Sequence, residues 1–132
     1  RYLTSAHLSL DICLFIITCR DLADVIVMLY KRGVKVRVIS DREQINAMGS
    51  QIDRLQAEGI QVRFGQQSYL MHHKFAVVDR WLLVNGSFNW TRQAIAGNNE
   101  NVFVTENDQI VTSYREEFNR LWSDFDPKKK NA

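Results

Sequence analysis

Proline occurs once and glycine six times among 132 residues, which excludes collagen-like and low-complexity disordered chains. Cysteine is scarce: Cys13 and Cys19 are the only two. That excludes a disulfide scaffold, and a bridge over so short a spacing is disfavoured in a reducing compartment. Cys13 lies in an apolar run and reads as a buried small hydrophobe. His7, Cys13 and Cys19 do not match a zinc-ligand spacing, so neither a metal site nor a bound cofactor is expected. No apolar run approaches the ~18 residues of a membrane span, and Leu10 to Thr18 reads as a core strand instead. A net charge of +2 is too small to indicate a nucleic-acid partner by itself, so any phosphate-binding surface requires local clustering.

What remains is an ordinary globular composition, 45% hydrophobic, in a length suited to one domain. The pattern predicts a short helix over 2–9, then a strand from Asp11 to Ile17 that is apolar on both faces. A helix follows near 20–32, with Leu22, Val25, Ile26 and Leu29 on one face and Gly33 as its stop. Val34 to Ile39 alternates with period two, as a strand does. A helix over 43–58 is striped by Ile45, Met48, Ile52 and Leu55 and ends at Gly59. Further strands are expected at 60–64, 72–78, 81–85 and 101–104, with Asp79-Arg80 as a tight hairpin turn. Residues 91–98 read as a loop or one helical turn. The last helix, about 107–125, carries Ile110, Tyr114, Phe118, Leu121 and Phe125 inward. The expected architecture is one α/β domain over 1–126, a mixed sheet flanked by helices, with a solvated basic tail at 127–132. The chain begins at Arg1 rather than Met, so an upstream segment is expected, and with it any targeting or anchoring stretch.

One stretch carries chemistry. His72, Lys74, Asp79, Gly86, Ser87 and Asn89 form H-x-K-x4-D-x6-G-S-x-N. Side chains two apart on a strand share a face, so His72 and Lys74 are expected on one side and His73 on the other. A neutral imidazole attacks phosphorus, and an ammonium neutralises the nonbridging oxygens. Alone, His-x-Lys is weak evidence, equally at home on an exposed strand. The apolar residues Phe75 to Val78, the closing Asp79, the small Gly86-Ser87 pair and the amide of Asn89 make the pattern specific. Asp is also common at turns. The Ser87 hydroxyl suits either a phosphate oxygen or its own backbone.

These residues resemble the HKD signature of the phospholipase D superfamily, whose members cleave phosphodiesters through a histidine nucleophile without metal. The motif occurs once, although that chemistry uses two histidines, so the resemblance implies a homodimer with one motif per chain. The resemblance narrows with Gly33-Val34-Lys35-Val36-Arg37-Val38, Gly59-Ile60-Gln61-Val62-Arg63, Met71-His72-His73-Lys74-Phe75 and Gly86-Ser87-Phe88-Asn89-Trp90-Thr91. Together these are similar to the mitochondrial cardiolipin hydrolase family, also called Zucchini or MitoPLD, over about residues 1–126.

That resemblance implies His72 as nucleophile in one chain and as acid and base in the other. Lys74 and Asn89 bind the nonbridging oxygens, and Asp79 organises the site rather than touching phosphate. Glu100 orients the partner subunit's His72, as the aspartate does in a serine-protease triad. It further implies an endoribonuclease of piRNA biogenesis acting on single-stranded RNA, with DNA open to the same chemistry. A cardiolipin hydrolase releasing phosphatidic acid is the alternative, and a non-catalytic RNA-binding scaffold a third. The family sits on the mitochondrial outer membrane through an N-terminal anchor, and it has a zinc-binding insertion; this sequence contains neither. Lys31, Arg32, Arg37, Arg63, Arg80 and Arg92 are candidates to line a nuclease groove. Tyr69, Leu70 and Trp81 are candidates for an acyl channel.

Overall fold

The computed structural model describes residues 5–14, 20–41, 51–65, 75–86 and 102–129. Strand and helix alternate through the first half: β1 (Ser9–Cys13), α1 (Arg20–Lys31), β2 (Lys35–Asp41), α2 (Ile52–Ala57) and β3 (Gln61–Gly65). Three strands follow, β4 (Phe75–Val78), β5 (Leu82–Gly86) and β6 (Val102–Thr105). The helix α3 (Asp108–Asp124) then leads to a 3-10 turn at Pro127–Lys129. The six strands form one mixed sheet in the order β3-β2-β1-β4-β5-β6. β1, β2 and β3 run parallel, and the β1–β4, β4–β5 and β5–β6 pairs are antiparallel.

Period two sorts the strands' side chains to two faces. Leu10, Ile12, Val36, Val38, Ala76 and Val78 join Ala23, Ile26 and Leu29 of α1, and Ile52 and Leu55 of α2, in one core. Cys13, Ile39, Phe75, Val77 and Leu83 face the other way and pack on Val111, Phe118 and Leu121 of α3. The sheet is thus filled on both sides, which is why β1 and β4 read as near-continuous apolar runs.

Helix ends follow the glycines. Gly33 and Gly59 have φ of +99° and +96°, where a side chain is strained. Behind them Val34 N–H returns to Leu29 O, and Ile60 N–H to Leu55 O, closing both helices. A Cβ on Gly59 would also lie 2.9 Å from the Tyr30 hydroxyl, which itself donates to Gly59 O at 3.1 Å.

Several boundaries differ from the sequence reading. Of the helix expected over 2–9, Ser5 lies in a 3-10 turn, and the chain is no longer helical from Ala6 on, where the N–H groups of His7, Leu8 and Ser9 all go to the Asp79 carboxylate. On α1, Ala23 and Val27 share the buried face with Ile26 and Leu29, while Leu22 and Val25 lie on its flank. α3 buries Val111 in place of Ile110, which is 37% exposed. Ile110 sits in the first turn, about 60° from the centre of the face that carries Val111, Phe118 and Leu121. Asn107 caps that turn by accepting from Ile110 N–H at 3.1 Å. The parts of the expected elements at 15–19, 42–50, 71–74 and 87–101 lie outside the described residues.

Candidate active site

β4 is buried along its whole length, and its two ends serve different purposes. At its beginning, Phe75 stands in a row with Cys13 of β1, Asn85 of β5 and Phe103 of β6. The chain enters this row from Lys74. It leaves by Gly86 into Ser87, and re-enters at Val102. The segments that carry His72 and Lys74, Ser87 and Asn89, and Glu100 therefore join the sheet at one end, and Asp79 follows the other end of β4. His72, Lys74, Ser87, Asn89 and Glu100, with His73, themselves lie outside the described residues.

The frame behind that end is well braced. The Phe75 ring meets Tyr114 edge-on at 5.0 Å and 76°, and Phe118 at 6.4 Å and 80°. Asn85 Nδ2 donates to the Tyr114 hydroxyl at 3.0 Å. One helix residue thus holds the strand that enters from Lys74 and the strand that leaves towards Ser87. Burial first, then the nearby Glu117 charge, push the Cys13 thiol well above its ordinary range. Cys13 stays protonated and is no competing nucleophile.

Asp79 lies at the other end of β4, four residues or about 13 Å of strand from Phe75. Asp79 and Arg80 have φ of +53° and +71°. Trp81 N–H closes the turn on Val78 O at 3.1 Å. This is the hairpin expected for a two-residue connection with both central residues left-handed. The Asp79 carboxylate accepts from His7 N–H at 3.0 Å, Leu8 N–H at 2.7 Å and Ser9 N–H at 3.0 Å. Its own N–H donates to Ser9 O at 2.8 Å. Burial works to raise this carboxyl. The hydrogen bonds from Ser9, Leu8 and His7, with the charge of His7, outweigh it and hold the group below the ordinary aspartate value. Asp79 therefore pins the start of β1 to the end of β4.

Among the groove candidates, Arg37 is committed elsewhere. It grips Asp11 with Nε at 2.9 Å and Nη2 at 2.8 Å, and reaches Asn119 Oδ1 at 3.1 Å. Its guanidinium lies 4.9 Å from the Phe118 ring centroid and 5.4 Å from that of Trp122. Arg63 covers the opposite partner in this stack, 4.1 Å from the Trp122 ring, and donates to Trp122 O. Both arginines hold α3 on the sheet. Lys31 pairs with Glu58 at 3.5 Å. Arg80 and Trp81 belong to the Asp79 turn, at the sheet end away from the motif. Arg92, Tyr69 and Leu70 lie outside the described residues.

Asp11, Asn85, Tyr114 and Trp122 were not singled out from the sequence as structural partners. Asp11 carried a signal: a lone acid inside an apolar strand, 6% exposed in the fold, requires a cation, and Arg37 faces it across the parallel pair. Among the described residues, no group of three or more His, Cys, Asp or Glu side chains is placed to hold a metal ion.

With this geometry in place, comparison with known proteins is informative. The family model for the cardiolipin synthase, PLD-like domain matches residues 1–122. The mitochondrial cardiolipin hydrolase of Homo sapiens is 48% identical over 129 residues, 98% of this chain and 51% of that protein. That of Chlamydomonas reinhardtii is 49% identical over 124 residues, 94% of this chain and 56% of its own length. The chain thus spans about half the length of the curated relatives it matches. Among solved structures, the phospholipase D family member Nuc from Salmonella typhimurium superposes with a TM-score of 0.84 at 27% identity. NucT from Helicobacter pylori does so at 0.83 and 26%. Each covers 92% of this chain and 82% of the other. The mixed sheet, the buried motif strand and the extended sequence identity agree: the chain belongs to the mitochondrial cardiolipin hydrolase family of the phospholipase D superfamily.

Proposed function

We propose that this chain is the catalytic unit of a metal-independent phosphodiesterase that works as a homodimer, one motif from each subunit. The observation that carries the reading is the intact H-x-K-x4-D-x6-G-S-x-N pattern, in a chain of this family, built around a buried, braced strand.

His72 of one subunit attacks phosphorus through an imidazole nitrogen. A P–N bond forms as the bond to the leaving oxygen breaks, and that oxygen takes a proton from the partner subunit's His72. The partner imidazole, now neutral, accepts a proton from water. The water oxygen bonds to phosphorus, and the P–N electron pair returns to His72. Lys74, Asn89 and the Ser87 hydroxyl stabilise charge on the nonbridging oxygens, and Glu100 orients the imidazole. Asp79 acts through the backbone, fixing β4 against β1.

The preferred substrate is single-stranded RNA, cut to leave 5′-phosphates as in piRNA biogenesis. The mechanism makes no use of the 2′-hydroxyl, so single-stranded DNA is cut as well. A second reading, hydrolysis of cardiolipin to phosphatidic acid at a mitochondrial outer membrane, is favoured by the names of the curated relatives. Against it, Trp81 is 49% exposed at the sheet end away from the motif, which removes it from an acyl channel there.

The test incubates purified protein with labelled single-stranded RNA and with cardiolipin vesicles, both in EDTA. RNA cleavage with 5′-phosphate ends is expected. Intact RNA beside newly formed phosphatidic acid overturns the RNA reading. His72→Asn is expected to abolish turnover, a loss of about 10³-fold or more. Unchanged turnover in that variant overturns the whole mechanism.

A further inference from the structure

We infer a second, non-catalytic phosphate site at the sheet end opposite the motif. A cleft of about 150 Å³ opens there, lined by Ser9, Asp11, Lys35, Arg37, Arg80 and Asn119. Ser9 and Lys35 are paired at the start of β1 and β2, and Arg80 stands in the adjoining β4–β5 turn. Ser9, Lys35 and Arg80 are separated from Phe75 by the length of β4, while Asp11 and Arg37 line the cleft at the level of Val77.

Its electrostatics are unbalanced. Lys35, Arg37 and Arg80 bring three positive charges and Asp11 one negative, for a net of three minus one, or +2. The Asp11 carboxylate is already held by Arg37 through two hydrogen bonds and is 6% exposed. Neither the Lys35 nor the Arg80 side chain makes an ion pair or hydrogen bond among the described residues. Like charges meeting in one concavity repel, and an anion between them removes that repulsion.

The donors are also prepared for such a guest. Arg37 is held between the Phe118 and Trp122 rings and Asp11, so ordering it costs little further entropy. Its Nε and Nη2 are engaged, which leaves the Nη1 hydrogens uncommitted. Asn119 spends its Oδ1 on Arg37, and its amide hydrogens remain as donors. The Ser9 Oγ is buried and has no hydrogen-bond partner among the described residues. An ammonium, two guanidinium edges and a carboxamide are all donors. They suit a compact oxyanion with acceptors pointing several ways, as a phosphate group has. The volume is below the usual ~300 Å³ of a pocket for a larger ligand, so the guest is the phosphate group itself, free or as the headgroup of a lipid.

The test titrates inorganic phosphate, against chloride at equal ionic strength, into isotope-labelled protein and follows backbone amide shifts. Saturable shifts at Ser9, Asp11, Lys35 and Arg80 are expected. The double variant Lys35→Gln with Arg80→Asn, chosen because Asn tolerates the left-handed turn, is expected to weaken binding about tenfold while melting like the parent. Co-sedimentation with phosphatidic acid vesicles, above neutral phosphatidylcholine vesicles and lost in the double variant, assigns a lipid headgroup as the source. Binding of soluble phosphate alone assigns the free ion. Shifts that never saturate, that chloride reproduces, that survive in the double variant, or that centre on Phe75 and Gly86 overturn the site. None of these readouts uses turnover, so the result stands apart from the catalytic reading.

Discussion

Replacing Asp79 by Asn isolates what its charge does. Asn is close in shape and tolerates the φ of +53° at this turn, so neither volume nor backbone strain changes much. One oxygen remains to accept, but the other becomes an NH2 group facing backbone donors. With the amide oxygen at the Oδ1 position, His7, Leu8 and Ser9 N–H keep an acceptor, but an uncharged and weaker one, and His7 N–H faces the new NH2 group in place of Oδ2. A hydrogen bond to a charged group contributes about 1.5–3 kcal/mol, and partial exposure at this turn lowers that to about 1–2 kcal/mol for the whole change. For a chain of this length that is a fall in Tm of roughly 4–8 °C at neutral pH. The carboxyl is held below its unfolded value, so its stabilisation is complete above the unfolded aspartate range and is lost as pH falls through the lower folded value. Thermal melts of both proteins from pH 7 to pH 2.5 are therefore expected to converge at the acid end. Equal Tm values at neutral pH, or a gap that persists undiminished into acid, refute the role given to this carboxylate.

Three further outcomes follow from the same contacts. Arg37→Met strands the buried Asp11 carboxylate and is expected to lower stability by about 3 kcal/mol in urea unfolding, with Arg37→Met plus Asp11→Leu recovering most of it; a double variant no better than the single one contradicts the ion-pair account. Phe75→Ala opens a cavity under Tyr114 and Phe118 and is expected to cost about 3–5 kcal/mol by the same measurement, where a loss below 1 kcal/mol shows that α3 does not brace β4 there. Turnover is expected to follow a bell-shaped pH curve, because the two copies of His72 must begin in opposite protonation states, and a flat profile between mildly acidic and mildly alkaline pH contradicts the pairing.

Much of the scaffold was legible because it is written in local periodicity. Val34, Val36 and Val38 alternate with Lys35 and Arg37, Ile26 and Leu29 recur at helical spacing, and Gly33 and Gly59 end their helices for a steric reason that needs no partner. The Asp79-Arg80 hairpin was legible from its length alone. The errors share one cause. Ile110 and Val111 are equally apolar, and only the angle at which α3 crosses the sheet selects Val111. The segment before Ser9 has a helical look, but its N–H groups are claimed by a carboxylate some 70 residues away. Arg37 and Arg63 read as surface cations until Phe118, Trp122 and Asp11 are brought to them.

The amino-acid order alone determined the chemistry on offer: a histidine, a lysine and an amide at spacings that suit a phosphodiester, around a stretch, Phe75 to Val78, too apolar to lie anywhere but the core. Covalent spacing and side-chain type are local properties and survive without a fold. The tertiary structure decided which charges remain available. Asp79 is spent on three backbone N–H groups, Arg37 on Asp11 and Arg63 on Trp122, while Lys35 and Arg80 converge on one cleft with no ion pair among the described residues. Such pairings join residues 26 to 72 positions apart, and their energy exists only when packing excludes water from between them.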